Sequence, residues 1–263
     1  MQMRKLLALL LISVLSPFIG SATAVPAKVL LINNKWIKTE LLSSDEEGNL
    51  RVKLDKKELI IRRQDFVRVA LATPPELLKA EKLLKKRELQ QAFELTDGLT
   101  GKYNFPPLGL RIKLLRAQIK NSEENYKEVI SILTPQLAID SKKTVPETEA
   151  ALRAESFLLL GNAYAKLSKD DAAVKAYRRA FEQGVPEYSA QANLISGRML
   201  LAKDYYDKAL RCFLENIAIF SVKTPGRRES LEETIKIYKK IKDKNYKLFE
   251  EMLKKEYPEK LKS

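Results

Sequence analysis

The hydrophobic and polar positions change period once along the chain. From about Ala27 to Ala72 the period is two: Leu50, Val52 and Leu54 alternate with Arg51 and Lys53, and Val67, Val69 and Leu71 with Arg68 and Ala70. Alternation of this kind puts every second side chain on one face and predicts half-buried β-strands. Turn-forming clusters separate the runs at Asn33-Asn34, Asp45-Glu46-Glu47-Gly48-Asn49, Asp55-Lys56-Lys57 and Gln64-Asp65. Five short strands joined by tight turns predict a small antiparallel, barrel-like module. Thr73-Pro74-Pro75-Glu76 ends it, because proline cannot continue a ladder but is pre-set for the first turn of a helix.

Beyond that point the apolar residues fall three and four apart, the spacing of one helix face. The densest stretch is Phe157, Leu160, Gly161, Tyr164, Ala173, Tyr177, Ala180 and Pro186. Gly161 and Ala173 stand twelve apart across the polar turn Ser168-Lys169-Asp170, which predicts two antiparallel helices whose small residues face each other. The twelve-residue pair recurs as Ala80/Ala92, Ala117/Val129, Gly197/Ala209 and, more weakly, Ile237/Phe249. Four residues after the second members come Thr96, Leu133, Tyr177, Phe213 and Leu253. The first members are 37, 44, 36 and 40 residues apart, so an array with loop insertions is expected, and five units exceed the three that a stacked core needs. Asp97-Gly98 is expected to end the first hairpin and Thr134-Pro135 to interrupt the fourth helix before an insertion reaching Pro146. The weaker last pair reads as a capping unit.

The central stretch resembles the tetratricopeptide repeat, whose pattern is aromatic, two residues, Leu-Gly, two residues, Tyr, then Ala, three residues, aromatic, then Pro. Phe157 stands in the usual Trp place, Tyr177 in the usual Phe place, and Pro186 arrives about one place late. The resemblance implies a mainly α fold: a superhelix of about five helix pairs over residues 74–263, preceded by the β-module of residues 25–73. The β-module is similar in outline to SH3-like or Sm-like barrels. In such arrays the first helices line a concave surface that receives an extended peptide or a partner helix. Carried over by offset from the small residues, the groove positions are Arg111, Leu114, Gln118 and Asn121, then Glu155, Leu158, Asn162 and Lys166, then Gln191, Leu194 and Arg198. Mixed Arg, Asn and Gln with leucines suits hydrogen bonding to a peptide backbone beside a side-chain pocket. The family's clamp for a C-terminal carboxylate places a Lys four residues before an Asn; Leu158 holds that place before Asn162, so the clamp is not supported. A proline-peptide surface of the SH3 type needs several aromatics, and the β-module offers Trp36 and Phe66, both expected in its core.

Composition narrows the chemistry. There is no histidine in the 263 residues, which removes the commonest general base and metal ligand. The single cysteine, Cys212, can form neither an internal disulfide nor a thiolate cage and is expected as a small buried residue. Asp45-Glu46-Glu47 lacks the alternating oxygen donors of a calcium loop and reads as a charged hairpin turn. With no nucleotide-binding glycine loop or nucleophile elbow, no enzyme, cofactor or metal is expected. The formal charge of +14 is spread along lysines interleaved with glutamates, a solvated surface, and nucleic acid is not expected as a partner.

Met1 to Lys5, the apolar Leu6 to Leu15, and small residues ending Ala22-Thr23-Ala24 have the three parts of a secretory signal peptide. The apolar run is too short for a bilayer that needs ~20 residues, and no cysteine follows for lipid attachment. Cleavage after Ala24 and a periplasmic location are expected, with no transmembrane span in the mature chain. The leading reading is an exported, non-enzymatic scaffold that binds a peptide or an envelope protein in its groove. A second reading gives recognition of an envelope polymer or membrane surface to the β-module, with the helices as spacer or oligomerisation unit. A third, a cytoplasmic nucleic-acid binder, requires that the leader be misread.

Overall fold

The computed structural model describes residues 25–45, 47–105, 107–138 and 147–258, and in it the change of period is a change of secondary structure. Strands β1 (Val25–Leu31), β2 (Trp36–Ser44), β3 (Leu50–Leu54), β4 (Lys57–Ile61) and β5 (Phe66–Leu71) form one antiparallel sheet in the order β4-β3-β2-β1-β5. Alternate residues point inward: Ala27 and Val29, Leu41, Leu50 and Val52, Ile61, and Phe66 and Val69 are buried. Register shifts leave Val67 as an extra residue on β5 opposite Leu30/Leu31 and Leu42 as an extra residue on β2 between Leu41 and Ser43, and they bend β5 and β2, as bulges do. No ladder joins β4 to β5, so the sheet stays open.

Its inner face is covered by helices instead. One apolar cluster runs from the inward strand residues to Leu77, Ala80 and Leu83, then Ala92, Leu99, Tyr103, Phe105 and Ile112. A polar seam follows the same boundary. The Ser44 hydroxyl donates to the Lys102 carbonyl (3.2 Å) and accepts from the Asn104 amide (2.9 Å). The Asn104 side chain donates to the Asp45 carbonyl (3.3 Å) and accepts from Lys113 Nζ (3.0 Å). Gly48, at φ +82°, lies so close that a Cβ there would meet the Asn104 carbonyl at 3.0 Å. Within the acidic turn, Asp45 accepts from Asn49 through both carboxylate oxygens (2.8 and 2.9 Å), as a charged hairpin turn should. Farther along, burial raises the Glu149 carboxyl, an effect opposed by Arg153 and by Arg63 of the sheet module.

The helices are paired: α1 (Pro75–Lys85) with α2 (Leu89–Thr100), α3 (Leu108–Ser122) with α4 (Tyr126–Ala138), α5 (Glu147–Lys166) with α6 (Asp170–Phe181), α7 (Pro186–Leu201) with α8 (Tyr206–Ile219), and α9 (Arg227–Lys240) with α10 (Tyr246–Glu256). Each pair carries one of the five twelve-residue signals. The first members Ala80, Ala117, Gly161, Gly197 and Ile237 are all buried, and so are the second members Ala92, Val129, Ala173 and Ala209, whereas Phe249 of the weakest pair is half-buried. Phe157 and Leu160 are buried around the central crossing, with Tyr164 packed at its edge.

The expected facing of Gly161 by Ala173, and of Gly197 by Ala209, needs correction. A Cβ at Gly161 would lie 2.5 Å from Tyr177 Cε1, and its nearest neighbours are all atoms of that ring. One at Gly197 would lie 2.5 Å from Phe213 Cε1, again with only ring atoms nearest. Ala173 and Ala209 are buried in the core, but a methyl group does not reach as far across the crossing as an aromatic ring one turn later. Glycine on the first helix makes room for that ring, and alanine on the second keeps its base clear.

The five turns within pairs are also alike. Arg87, Glu124, Ser168, Asp204 and Lys242 all have φ between 56° and 62°. In each unit the next amide reaches back five residues, as Glu88 to Leu83, Asn125 to Lys120, Lys169 to Tyr164, Tyr205 to Leu200 and Asp243 to Tyr238. This is the Schellman ending, normally built on glycine.

Two expected helix ends are not ends. Helix α2 continues through Asp97-Gly98 to Thr100, because Gly98 is on the exposed side and the buried Thr96 and Leu99 hold the turn in place. Helix α4 contains Pro135 and runs on to Ala138; the buried Leu133 and Leu137 on either side pack its last turn against α5, outweighing the lost backbone bond. Residues 139–146, where the insertion was expected, lie outside the described residues, as does the leader, residues 1–24.

First helices pack on first helices, α1 on α3, α3 on α5, α5 on α7 and α7 on α9, and no comparable packing joins the second helices among the described residues. The stack therefore curves with the first helices inside. At its end α10 has no fully buried residue, as expected of a cap. It is held by stacking of Tyr238 on Phe249 (5.5 Å) and by Arg227, which donates to both oxygens of Glu256 (3.1 and 2.7 Å) and to the Ile217 and Phe220 carbonyls.

Candidate functional site

The inner face is a ladder of polar side chains joining successive first helices, and its rule can be read from the repeat. The residue just after the small residue of one unit meets the residue six before the small residue of the next. Glu81 accepts from Arg111 (2.6 and 2.8 Å), and Gln118 donates to Glu155 (2.7 Å). Between α7 and α9 the partner is four before: Arg198 donates to Glu233 Oε1 (3.2 Å), which Lys236 also approaches (3.4 Å). Between α5 and α7 the rung is missing. Asn162 and Gln191 occupy the matching positions on α5 and α7, but Asn162 Oδ1 accepts from the Tyr177 hydroxyl of its own unit (2.9 Å). Gln191 is exposed and its side chain makes no hydrogen bond among the described residues. The link between α5 and α7 is made elsewhere, by the Tyr188 hydroxyl donating to Glu155 Oε2 (3.1 Å). Burial, then the Glu155 charge, pushes the Tyr188 hydroxyl above its ordinary pKa, and burial pushes that of Tyr177 up to about 12.

The structure thus sorts the eleven residues marked as groove positions. Leu114, Leu158 and Leu194 are buried in the packing between helices. Arg111, Gln118, Glu155 and Arg198 are rungs of the ladder, while Asn121 is half-buried at the C-terminal end of α3. Lys166 and Gln191 are exposed, and with Asn162 they mark the open rung between α5 and α7. Glu81, Tyr188, Glu233 and Lys236 also belong to this face and were missed. Glu81 has a signal in the sequence, since it follows its small residue as Gln118, Asn162 and Arg198 follow theirs.

A second concavity, shallow and open, of about 500 Å³, lies along α8 and is lined by Asp207, Leu210, Arg211, Leu214, Glu215 and Ala218. Arg178 of α6 reaches Glu215 at its side (2.7 Å). Cys212, beside it, is half-buried, and burial raises its thiol pKa, the opposite of what a nucleophilic cysteine needs. Among the described residues no group of three or more Asp, Glu, Cys or His could hold a metal ion, and no helix is long and apolar enough to cross a membrane. Trp36, expected in the core of the β-module, is 44% exposed on the outer face of the sheet, whereas Phe66 is buried as expected.

No family model and no curated protein sequence matches the chain. Solved structures do. A crystal structure of MamA superposes with a TM-score of 0.53 at 16% identity, covering 73% of this chain and 100% of that one. A putative kinesin light chain of Podosopora anserina with nearly identical TPR-like repeats gives 0.51 at 16% identity, over 72% of this chain and 96% of that one. BtubC (BKLC) from P. vanneervenii gives 0.52 at 17%, over 68% and 77%. At these identities the likeness is one of fold. The helical part of this chain, its helices arranged in successive pairs, has the tetratricopeptide-repeat fold.

Proposed function

We propose that the protein is a non-enzymatic interaction scaffold, exported to the periplasm, which holds a peptide or an envelope protein on its first-helix face. The observation that carries this reading is the open rung. The other rungs pair across successive first helices, Glu81 with Arg111, Gln118 with Glu155 and Arg198 with Glu233, but Gln191 and Lys166 turn polar groups to solvent beside Asn162. An extended backbone laid across α5 and α7 would pair with the two amides, and the exposed ammonium of Lys166 favours a carboxylate on the bound segment. The repeat fold supports a protein partner, since a stack of helix pairs presents an extended open surface in place of a deep pocket. Export rests on the order of charged, apolar and small residues in Met1–Ala24.

The test is site-specific photocrosslinking in cells, with the reactive group placed at Gln191 or, on the second-helix side, at Arg211. The expected result is a defined partner captured from Gln191 and lost when Lys166→Glu is added, with helix content unchanged. Capture from Arg211 alone overturns the assignment in favour of the α8 concavity. The N-terminal residue of the protein purified from its own cells tests export: Val25 is expected, and an intact leader on cytosolic protein contradicts it.

A further inference from the structure

The outer face of the sheet carries a group of cations and apolar side chains that neither the helical array nor the first-helix face uses. The register sets it out in rows. Trp36 of β2 lies opposite Leu30 of β1, which lies opposite Arg68 of β5. One row on, Lys38 lies directly opposite Lys28, and Lys28 opposite Ala70. The β1–β2 turn adjoins the first row and carries Lys35 and Ile32. Ile32 is 59% exposed and Trp36 44%, among the most exposed large apolar residues described, and they flank the same hairpin tip.

The charges on the sheet divide sharply. At the β3–β4 end, Arg51 is paired with Glu58 and Lys53 with Glu40. At the β1–β2–β5 end, Lys28, Lys35, Lys38 and Arg68 have no carboxylate partner among the described residues. Like charges directly opposite each other weaken a sheet, so the Lys28–Lys38 pair costs stability and gains nothing within the fold.

We propose that this face seats the protein on an anionic membrane surface, with Ile32 and Trp36 entering the headgroup layer and Lys28, Lys35, Lys38 and Arg68 meeting lipid phosphates. Paired apolar and basic groups at one tip are what an interfacial site requires. A polymer that stacks on aromatic rings fits less well. The Arg68 guanidinium already covers a face of Trp36, 5.1 Å from the ring centroid, and the most exposed apolar group is aliphatic. Because the opposite face of the sheet is buried against α1–α3, this contact leaves the open rung between α5 and α7 free for a partner.

Cosedimentation of the full chain with vesicles of phosphatidylglycerol in phosphatidylcholine, against phosphatidylcholine alone, tests the proposal. Comparing variants of the same full chain cancels whatever residues 1–24 contribute. Lys28→Glu places a carboxylate opposite Lys38, so it is expected to leave thermal stability unchanged or raised. It should also lower affinity for the anionic vesicles by ~10-fold or more, since each surface charge counts for about fivefold. Ile32→Ser with Trp36→Ser is expected to weaken binding further at high salt, where the apolar contribution dominates. The double variant Lys244→Glu/Lys247→Glu at the start of α10, two exposed lysines at the far end, should bind as the parent does. Equal losses in the α10 variant and in Lys28→Glu overturn the proposal, because the attraction is then a property of the net charge. Equal binding to neutral and anionic vesicles also overturns it. A soluble anionic polysaccharide that competes fully, with binding independent of Ile32, replaces the membrane by a polymer.

Discussion

At the residue scale the crossings obey a size exchange. Where the residue four after the second small position is aromatic, Tyr177 or Phe213, the first position is Gly161 or Gly197; where it is Thr96, Leu133 or Leu253, the first position is Ala80, Ala117 or Ile237. Gly161→Ala should therefore cost about 1–3 kcal/mol despite the better helix propensity of alanine, because the new methyl meets a packed ring. Adding Tyr177→Leu should recover part of the loss, since the second unit already combines Ala117 with Leu133. A double-mutant cycle on melting temperature measures this, and strict additivity would count against the exchange. The Tyr177 hydroxyl gives a second handle. Its folded pKa, raised to about 12 by burial, lies above the ordinary value of 10, so the unfolded chain loses its proton first as pH rises. The neutral phenol's contribution is complete below pH 10 and is lost between about 10 and 12. Tyr177→Phe removes the bond to Asn162, worth about 1 kcal/mol at neutral pH, and should flatten the alkaline fall in stability relative to the parent protein.

At the element scale the sequence was legible wherever side-chain periodicity governs and silent where the backbone does. Among the described residues the helices fall into the five expected hairpins and the five strands into the expected stretch, with β3 and β5 where the alternation placed them, because both signals arise from the buried face itself. The spacing of Gly197 and Ala209 located a crossing correctly, yet which side chain fills it follows from reach, and Phe213 reaches farther than Ala209. The turns within pairs could not be foreseen in their conformation. Their left-handed residue is Arg, Glu, Ser, Asp or Lys, none of them the glycine that usually marks it. Pro135 and Asp97-Gly98 misled for the converse reason: local breakers yield when the residues around them are buried. The ladder of the inner face was half legible, since offsets locate its members, whereas which rung stays open depends on where Asn162 turns. Trp36 was misplaced because alternation says that a residue faces one side of a sheet without saying which side is covered. The left-handed turn yields its own prediction. Ser168→Gly, at φ 56°, should raise stability by about 0.5–1 kcal/mol, as glycine adopts this region without the Cβ penalty. Thermal unfolding of the variant checks it, and a fall in melting temperature would mean that the Ser168 side chain contributes more than its backbone costs.

At the scale of the whole molecule, the sheet and the first helices share a core although the chain changes character at Pro74. Leu77, Leu99, Phe105 and Ile112 are buried in one cluster with Val29, Val52 and Phe66, and the seam through Ser44, Asn104 and Lys113 satisfies the polar groups at its edge. Deleting residues 25–73 would therefore not release an intact helical array. In a stack where each unit contacts only its neighbours, damage at one end decays along the stack. The truncated chain should lose amide hydrogen-exchange protection in α1, α2 and α3, while α6 to α10, whose cores are built from Tyr177, Phe213 and Ile237, keep theirs. Protection retained throughout α1–α3 would show that the sheet is a separable module after all. The same contacts decide how function should be dissected. Loss of a partner on deleting the sheet could come from the collapse of α1–α3 as readily as from loss of a binding face, whereas exposed single sites such as Lys28 and Lys166 separate the two faces without touching the shared core.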